Sequence, residues 1–259
     1  MKPIKKFFGN FCFPLLLVQL GIGSPTFAEQ PVKQPPVIGF WGSPEKLPGK
    51  GPTRKQEWFE NTWAKRRAQF IQEREKDKSA VVFLGDSITQ GWKTLALDFP
   101  NLKVANRGIS GDTTRGVWFR LKEDVLDLKP QAIVLLIGTN DIGLDADPED
   151  AASNIKEILQ AVAKSNPNTP VIVCKVMPSH SDKKRPSDKL QKLNSSIDDF
   201  IKGKKQFIRC DTWSIFADAD GNAKKEEFPD LLHPNAAGYE KWANALKLIF
   251  AKLNLDKKG

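Results

Sequence analysis

Five short apolar runs, Ala80 to Leu84, Leu102 to Ala105, Ala132 to Ile137, Val171 to Val176 and Phe207 to Cys210, recur along the chain with longer amphipathic stretches between them. Runs this short, without polar alternation, read as strands buried on both faces. Between them, Ile155, Ile158, Leu159 and Val162 repeat at helical spacing, as do Leu190, Leu193, Ile197 and Ile201, and Tyr239, Trp242, Leu246 and Ile249. Ahead of the first strand, Trp58, Phe59, Trp63, Phe70 and Ile71 predict a helix within Lys55 to Lys76 that buries one face. The alternation predicts an α/β fold, a three-layer α/β/α sandwich around a parallel sheet of about five strands. Open sheets of this kind place their chemistry beyond the carboxyl ends of the strands.

The N-terminal residues stand outside this pattern. Lys2, Lys5 and Lys6 precede an apolar stretch from Phe11 to Ile22 and small residues around Thr26-Phe27-Ala28, which reads as a secretory signal peptide over residues 1–28. The stretch is broken by Pro14, Gln19 and Gly21 and is shorter than the roughly 20 residues that span a bilayer, which argues against an uncleaved anchor. A secreted or periplasmic location, without stable membrane insertion after cleavage, is the expectation. Residues 29–54 carry six prolines and four glycines and read as a linker or surface wrap, with Phe40 and Trp41 favouring a wrap. Residues 55–254 then form one domain, and 255–259 a basic tail.

Charge excludes little but points away from one partner. Removing Lys2, Lys5 and Lys6 lowers the net charge from +9 to +6, and the remaining basic residues cluster in short runs such as Lys183-Lys184-Arg185 and Lys204-Lys205. Such runs mark solvated faces more often than a nucleic-acid groove, so no nucleic acid is expected. Cys174 and Cys210 fall in buried strands and read as free thiols, although an oxidising compartment would permit a disulfide.

The residues just beyond each strand decide the chemistry. After the first strand comes Gly85-Asp86-Ser87, where Ser87 is either a nucleophile or a helix N-cap. After the second, the loop Asn106-Arg107-Gly108-Ile109-Ser110-Gly111-Asp112-Thr113-Thr114 could face an anion with its amides, but it lacks the P-loop and dinucleotide spacings. After the third, Gly138-Thr139-Asn140-Asp141 brings an amide side chain to the same edge, as a hydrogen-bond donor or a turn residue. Before the last helix stands Asp230-Leu231-Leu232-His233, a spacing that can fold a carboxylate onto an imidazole and fix its tautomer for proton transfer. His180, the other histidine, has Asp182 near it but no acid at that spacing, and reads as a polar loop residue. Two histidines and no paired cysteines argue against zinc, and no G-x-S-x-G elbow is present.

Taken in order, Gly85-Asp86-Ser87, the Arg107-Gly108 loop, Gly138-Thr139-Asn140-Asp141 and Asp230-Leu231-Leu232-His233 resemble the SGNH/GDSL hydrolase family, and within it the catalytic subunits of platelet-activating factor acetylhydrolase and their bacterial relatives. The resemblance implies a flavodoxin-like sheet, Ser87 as nucleophile, His233 as base, Asp230 as its orienting acid, and an oxyanion hole from the Ser87 and Gly108 amides and the Asn140 side chain. It implies no metal and no organic cofactor. Two places depart from the family pattern: Leu231 stands where glycine is common, and the loop from Met177 to Ser187 has no family signature. The expected activity is hydrolysis of small acyl esters, O-acetyl above all, with an acetylated carbohydrate favoured by export. Lysophospholipase or thioesterase chemistry, and a non-catalytic carbohydrate-binding module, are the alternatives.

Overall fold

The computed structural model describes residues 47–256. The expected signal peptide, the first part of the wrap with Phe40 and Trp41, and Lys257-Lys258 lie outside the described residues. In chain order the main elements are α1 (Glu57–Gln72), β1 (Val81–Gly85), α2 (Ser87–Gln90), α3 (Leu95–Asp98), β2 (Val104–Gly108), α4 (Thr114–Asp124), β3 (Ala132–Leu136), α5 (Thr139–Gly143), α6 (Pro148–Ser165), β4 (Val171–Cys174), α7 (Ser187–Ile201), β5 (Phe207–Cys210), α8 (Thr212–Phe216) and α9 (Ala236–Lys252). The five strands pair in the order β2-β1-β3-β4-β5, all parallel. This flavodoxin-like order reverses direction between β1 and β3, and such a switch point opens a crevice at the carboxyl ends of the two strands.

The two-residue period of the strands sorts their side chains into two cores. Val82, Leu84, Ile133, Leu135, Val171 and Val173 pack with Val117, Leu121, Ile155, Leu159, Leu190 and Leu193, which places α4, α6 and α7 on one face. Phe83, Val134, Leu136 and Ile172 pack with Trp92, Phe99, Trp242, Leu246 and Phe250, which places α9 and the α2–α3 region on the other. Trp92 and Trp242 lie with ring centroids 4.6 Å apart, tying the segment after α2 to α9. The three central strands are buried throughout, whereas β2 and β5, at the edges, are only partly buried. Burial on both faces therefore holds for β1, β3 and β4 alone, because an edge strand has a neighbour on one side only. Cys174 and Cys210 are buried free thiols opposite each other in the β4–β5 register.

Residues 47–54 contain no helix or strand and lie against the domain as a strap. Leu47 is buried with Phe59, Trp63, Phe70 and Ile109 beneath α1. Arg115 donates to the carbonyls of Pro48 (3.1 Å), Gly51 (2.7 Å) and Leu47 (2.8 Å). Asn154 exchanges two hydrogen bonds with the backbone of Lys50, at 3.1 and 2.8 Å. Among the described residues no helix is long and apolar enough to cross a membrane.

Candidate active site

The residues singled out at the strand ends meet at the switch point. The loop after β1 is tight because Gly85 allows it: a side-chain carbon there would run into the Leu136 carbonyl and Thr89. The N-cap of α2 is Asp86, whose Oδ1 accepts the Ile88 amide at 3.0 Å. Ser87 is therefore inside the helix and is not its cap. Its Oγ instead lies 3.0 Å from His233 Nε2.

His233 is held by its own turn. Asp230 Oδ1 accepts the amides of Leu232 (3.0 Å) and His233 (2.7 Å), and Asp230 Oδ2 lies 2.8 Å from His233 Nδ1. A carboxylate only accepts, so the hydrogen is on Nδ1 and Nε2 is left to accept from the serine hydroxyl. Burial works to raise the Asp230 carboxyl, but the hydrogen bonds from the His233 amide and ring and from the Leu232 amide override it and hold the group below its ordinary range. The turn requires a left-handed residue at Leu231, whose φ is 61°. This accounts physically for glycine at that position in the family pattern, since a side chain costs about 1–2 kcal/mol there. Ser179 Oγ donates to the Leu231 carbonyl at 2.7 Å, so the Met177–Ser187 loop braces the turn. Tyr239 Oη donates to the Ile88 carbonyl at 2.8 Å and fixes α9, which comes just after His233, against α2. His180 pairs with Asp182, whose amide donates to its Nδ1 at 3.2 Å, and takes no part in this arrangement.

Asn140 lies at the start of α5, 4 % exposed. Its Nδ2 donates to the Asp112 carbonyl at 2.9 Å, and its Oδ1 accepts from Arg185 Nη2 at 3.0 Å and more distantly from Arg54 Nη2 at 3.5 Å. A guanidinium cannot accept, so the carboxamide has one orientation, with its second N–H left over.

Gly108 is a correction. Its amide donates to Asn106 Oδ1 at 3.0 Å and is not available to a ligand. Glycine is needed there for packing, because a side chain would collide with the backbone of Gln90 and Asp86. Three residues on, Gly111 adopts φ 85°, and its amide has no acceptor among the described residues. It adjoins Asn140: Arg54 Nε donates to the Gly111 carbonyl at 3.0 Å, and the next carbonyl, of Asp112, holds Asn140 Nδ2. The Ser87 amide likewise has no acceptor among the described residues. The signal for Gly111 was present in Ser110-Gly111-Asp112, where a glycine in a tight loop marks positive φ, but two glycines in one loop cannot be ranked from sequence.

Three buried acids support these loops. Asp141 accepts the Thr114 amide (3.0 Å) and hydroxyl (2.6 Å), joining the loops after β2 and β3. Asp112 accepts Arg120 Nε at 2.8 Å, and Arg120 Nη2 donates to the Gly85 carbonyl at 3.0 Å. Asp86 Oδ2 is buried with no hydrogen-bond partner among the described residues. Burial pushes Asp86 up to about 7, against the Ile88 hydrogen bond and the Arg185 charge, and it also pushes Asp141 up to about 7 and Asp112 to about 6. Such a group keeps its proton in the fold at pH values where the unfolded chain has lost it, so stability falls as pH rises from about 4 to 7 and the deficit persists above. Asp86→Asn is expected to melt higher than the native chain, by at most about 4 kcal/mol at neutral pH, with a margin that shrinks toward pH 4. Thermal melts across that range check it, and a margin that does not vary with pH refutes it.

Residues 83–241 match the GDSL-like lipase/acylhydrolase family. The chain belongs to that family. It is 28% identical over 225 residues to platelet-activating factor acetylhydrolase IB subunit alpha1 of Pongo abelii, covering 84% of this chain and 95% of the relative. It is 29% identical over 205 residues to the alpha2 subunit of Homo sapiens, covering 75% and 86%. A GDSL-like lipase from Bacteroides thetaiotaomicron superimposes with a TM-score of 0.65 at 26% identity, over 74% of this chain and 99% of that one. The protein is accordingly a carboxylic ester hydrolase of the GDSL type, acting on ester substrates.

Proposed function

We propose that this GDSL acylhydrolase is an exported serine esterase that removes small acyl groups, principally O-acetyl, through Ser87, His233 and Asp230. The observation that carries the reading is the continuous chain from Ser87 Oγ to His233 Nε2 (3.0 Å) and from His233 Nδ1 to Asp230 Oδ2 (2.8 Å). Ser87 Oγ attacks the ester carbonyl carbon while its proton passes to Nε2. The carbonyl oxygen takes the negative charge, stabilised by the amides of Ser87 and Gly111 and the spare N–H of Asn140. Collapse expels the alcohol, which takes the proton from His233, and leaves Ser87 acylated. Water then repeats the sequence and releases the acid. His233 and Asp230 are both substantially exposed, which supports direct access of that water.

The acyl preference is supported by the relatives, which are named as acetylhydrolases. Export, read from residues 1–28, favours an acetylated carbohydrate as the carrier of the group. The test is covalent. A fluorophosphonate is expected to add one phosphonyl group at Ser87, mapped by peptide mass, and to leave Ser87→Ala unmodified. Absence of labelling in the native protein would favour a binding module on this fold.

A further inference from the structure

The cleft carries charge that the ester chemistry does not use. Arg54, at the end of the strap, is half-buried beside the cleft, its guanidinium 5.3 Å from the centre of the Trp58 ring. Its Nε is fixed on the Gly111 carbonyl and its Nη2 faces Asn140 Oδ1, so the group spans two of the three residues proposed to receive the oxyanion. Nη1 has no partner among the described residues, and no carboxylate among them lies within ion-pair distance of Arg54. Arg185 reaches the same Asn140 oxygen out of the Met177–Ser187 loop, and it also forms no ion pair among the described residues.

Two guanidinium groups converging on one carbonyl repel each other, and burial lowers both from their ordinary value. The buried acids within range, Asp86 and Asp141, are themselves pushed up to about 7 and offset this charge only in part at neutral pH. Arg185 spends its donors on Thr139, Lys183 and Asn140, whereas Arg54 keeps an open edge. The strap that delivers Arg54 is pinned by Arg115 and Asn154, so its position is built in and not incidental to a loose terminus.

We propose that Arg54 is an anion-recognising residue of this cleft, and that the preferred substrate is an acyl ester whose carrier bears a carboxylate or phosphate close to the ester. A planar fork with a free edge takes a carboxylate or phosphate oxygen in a charge-assisted hydrogen bond. The net charge of +6 that remains without Lys2, Lys5 and Lys6 favours encounter with an anionic carrier. This rests on the Ser87 reading and names the substrate class for that site.

The experiment compares kcat/KM for 4-acetoxybenzoate and 4-acetoxyphenyl phosphate with that for neutral 4-acetoxybenzamide, each divided by its own hydroxide-catalysed rate. At low ionic strength the native protein is expected to favour at least one anion about tenfold, the higher of the two identifying the group, with the preference shrinking as salt is added. Arg54→Gln is expected to bring the anion-to-neutral ratio close to one, and Arg54→Lys to keep part of it. A native ratio near one, or a ratio unmoved in Arg54→Gln, overturns the proposal. The second result would assign Arg54 to holding Asn140 alone, which slows charged and neutral esters equally. Ser87→Ala runs beside them: turnover surviving there sinks the Ser87 reading and leaves the ratio to be judged separately.

Discussion

Ser87→Ala is expected to lower kcat for a chromogenic acetyl ester by about 10⁴-fold or more, with folding intact by thermal melt. The size follows from the proposed mechanism, in which the hydroxyl forms the acyl-enzyme and, without it, only the binding and oxyanion donors remain to assist water. His233→Ala is expected to lose nearly as much, because a neutral serine hydroxyl is a weak nucleophile without a base at 3.0 Å. The two losses are not additive. In the proposed mechanism Ser87 and His233 act in one proton transfer, so the double variant is expected to be no slower than the worse single one. Activity within about tenfold of the native protein in Ser87→Ala would remove Ser87 from the mechanism, and fully additive losses would show that Ser87 and His233 do not share one step.

The fold was legible where burial is complete. β1, β3 and β4 are central strands, and their unbroken apolar runs state that position directly. Helix α4 has no such signature, because its inner face carries Arg120 and Asp124, and the periodicity that marks α6 and α7 is interrupted by charge. Arg120 is buried there because it ties Asp112 to the Gly85 carbonyl, a contact between loops far apart in sequence. Ser87, Asp230, His233 and Asn140 were legible because a family pattern places them in order, and Asp230 and His233 also meet within one turn. Gly108 and Gly111 were not separable, since which amide is spent on Asn106 is a matter of loop conformation. Arg54 was hidden for the opposite reason. A proline- and glycine-rich segment has no periodicity from which to read docking, and its position depends on Arg115 and Asn154, roughly 60 to 100 residues away.

Asn140→Ala is expected to lower kcat by about two to three decades with a smaller change in KM, the loss of one donor made fully only to the transition state. The orientation of the carboxamide makes this sharper than a general oxyanion prediction. Arg185 and Arg54 both donate to Oδ1, so the carboxamide nitrogen faces away from them, and one of its hydrogens is spent on the Asp112 carbonyl. Alanine removes the remaining donor and also leaves the Arg185 fork short of an acceptor, so a loss of stability would accompany the loss of rate. Asn140→Asp separates the two effects. A carboxylate keeps the acceptor for both arginines and adds an attractive charge, but it sets its second oxygen against the Asp112 carbonyl, so that variant is expected to melt below the native protein and above Asn140→Ala. Its carboxylate has no N–H to offer and repels a developing oxyanion, so its kcat is expected to fall at least as far as in Asn140→Ala. A variant that is stable and still turns over at the native rate would show that the Asn140 side chain holds the loops together and gives nothing to the transition state.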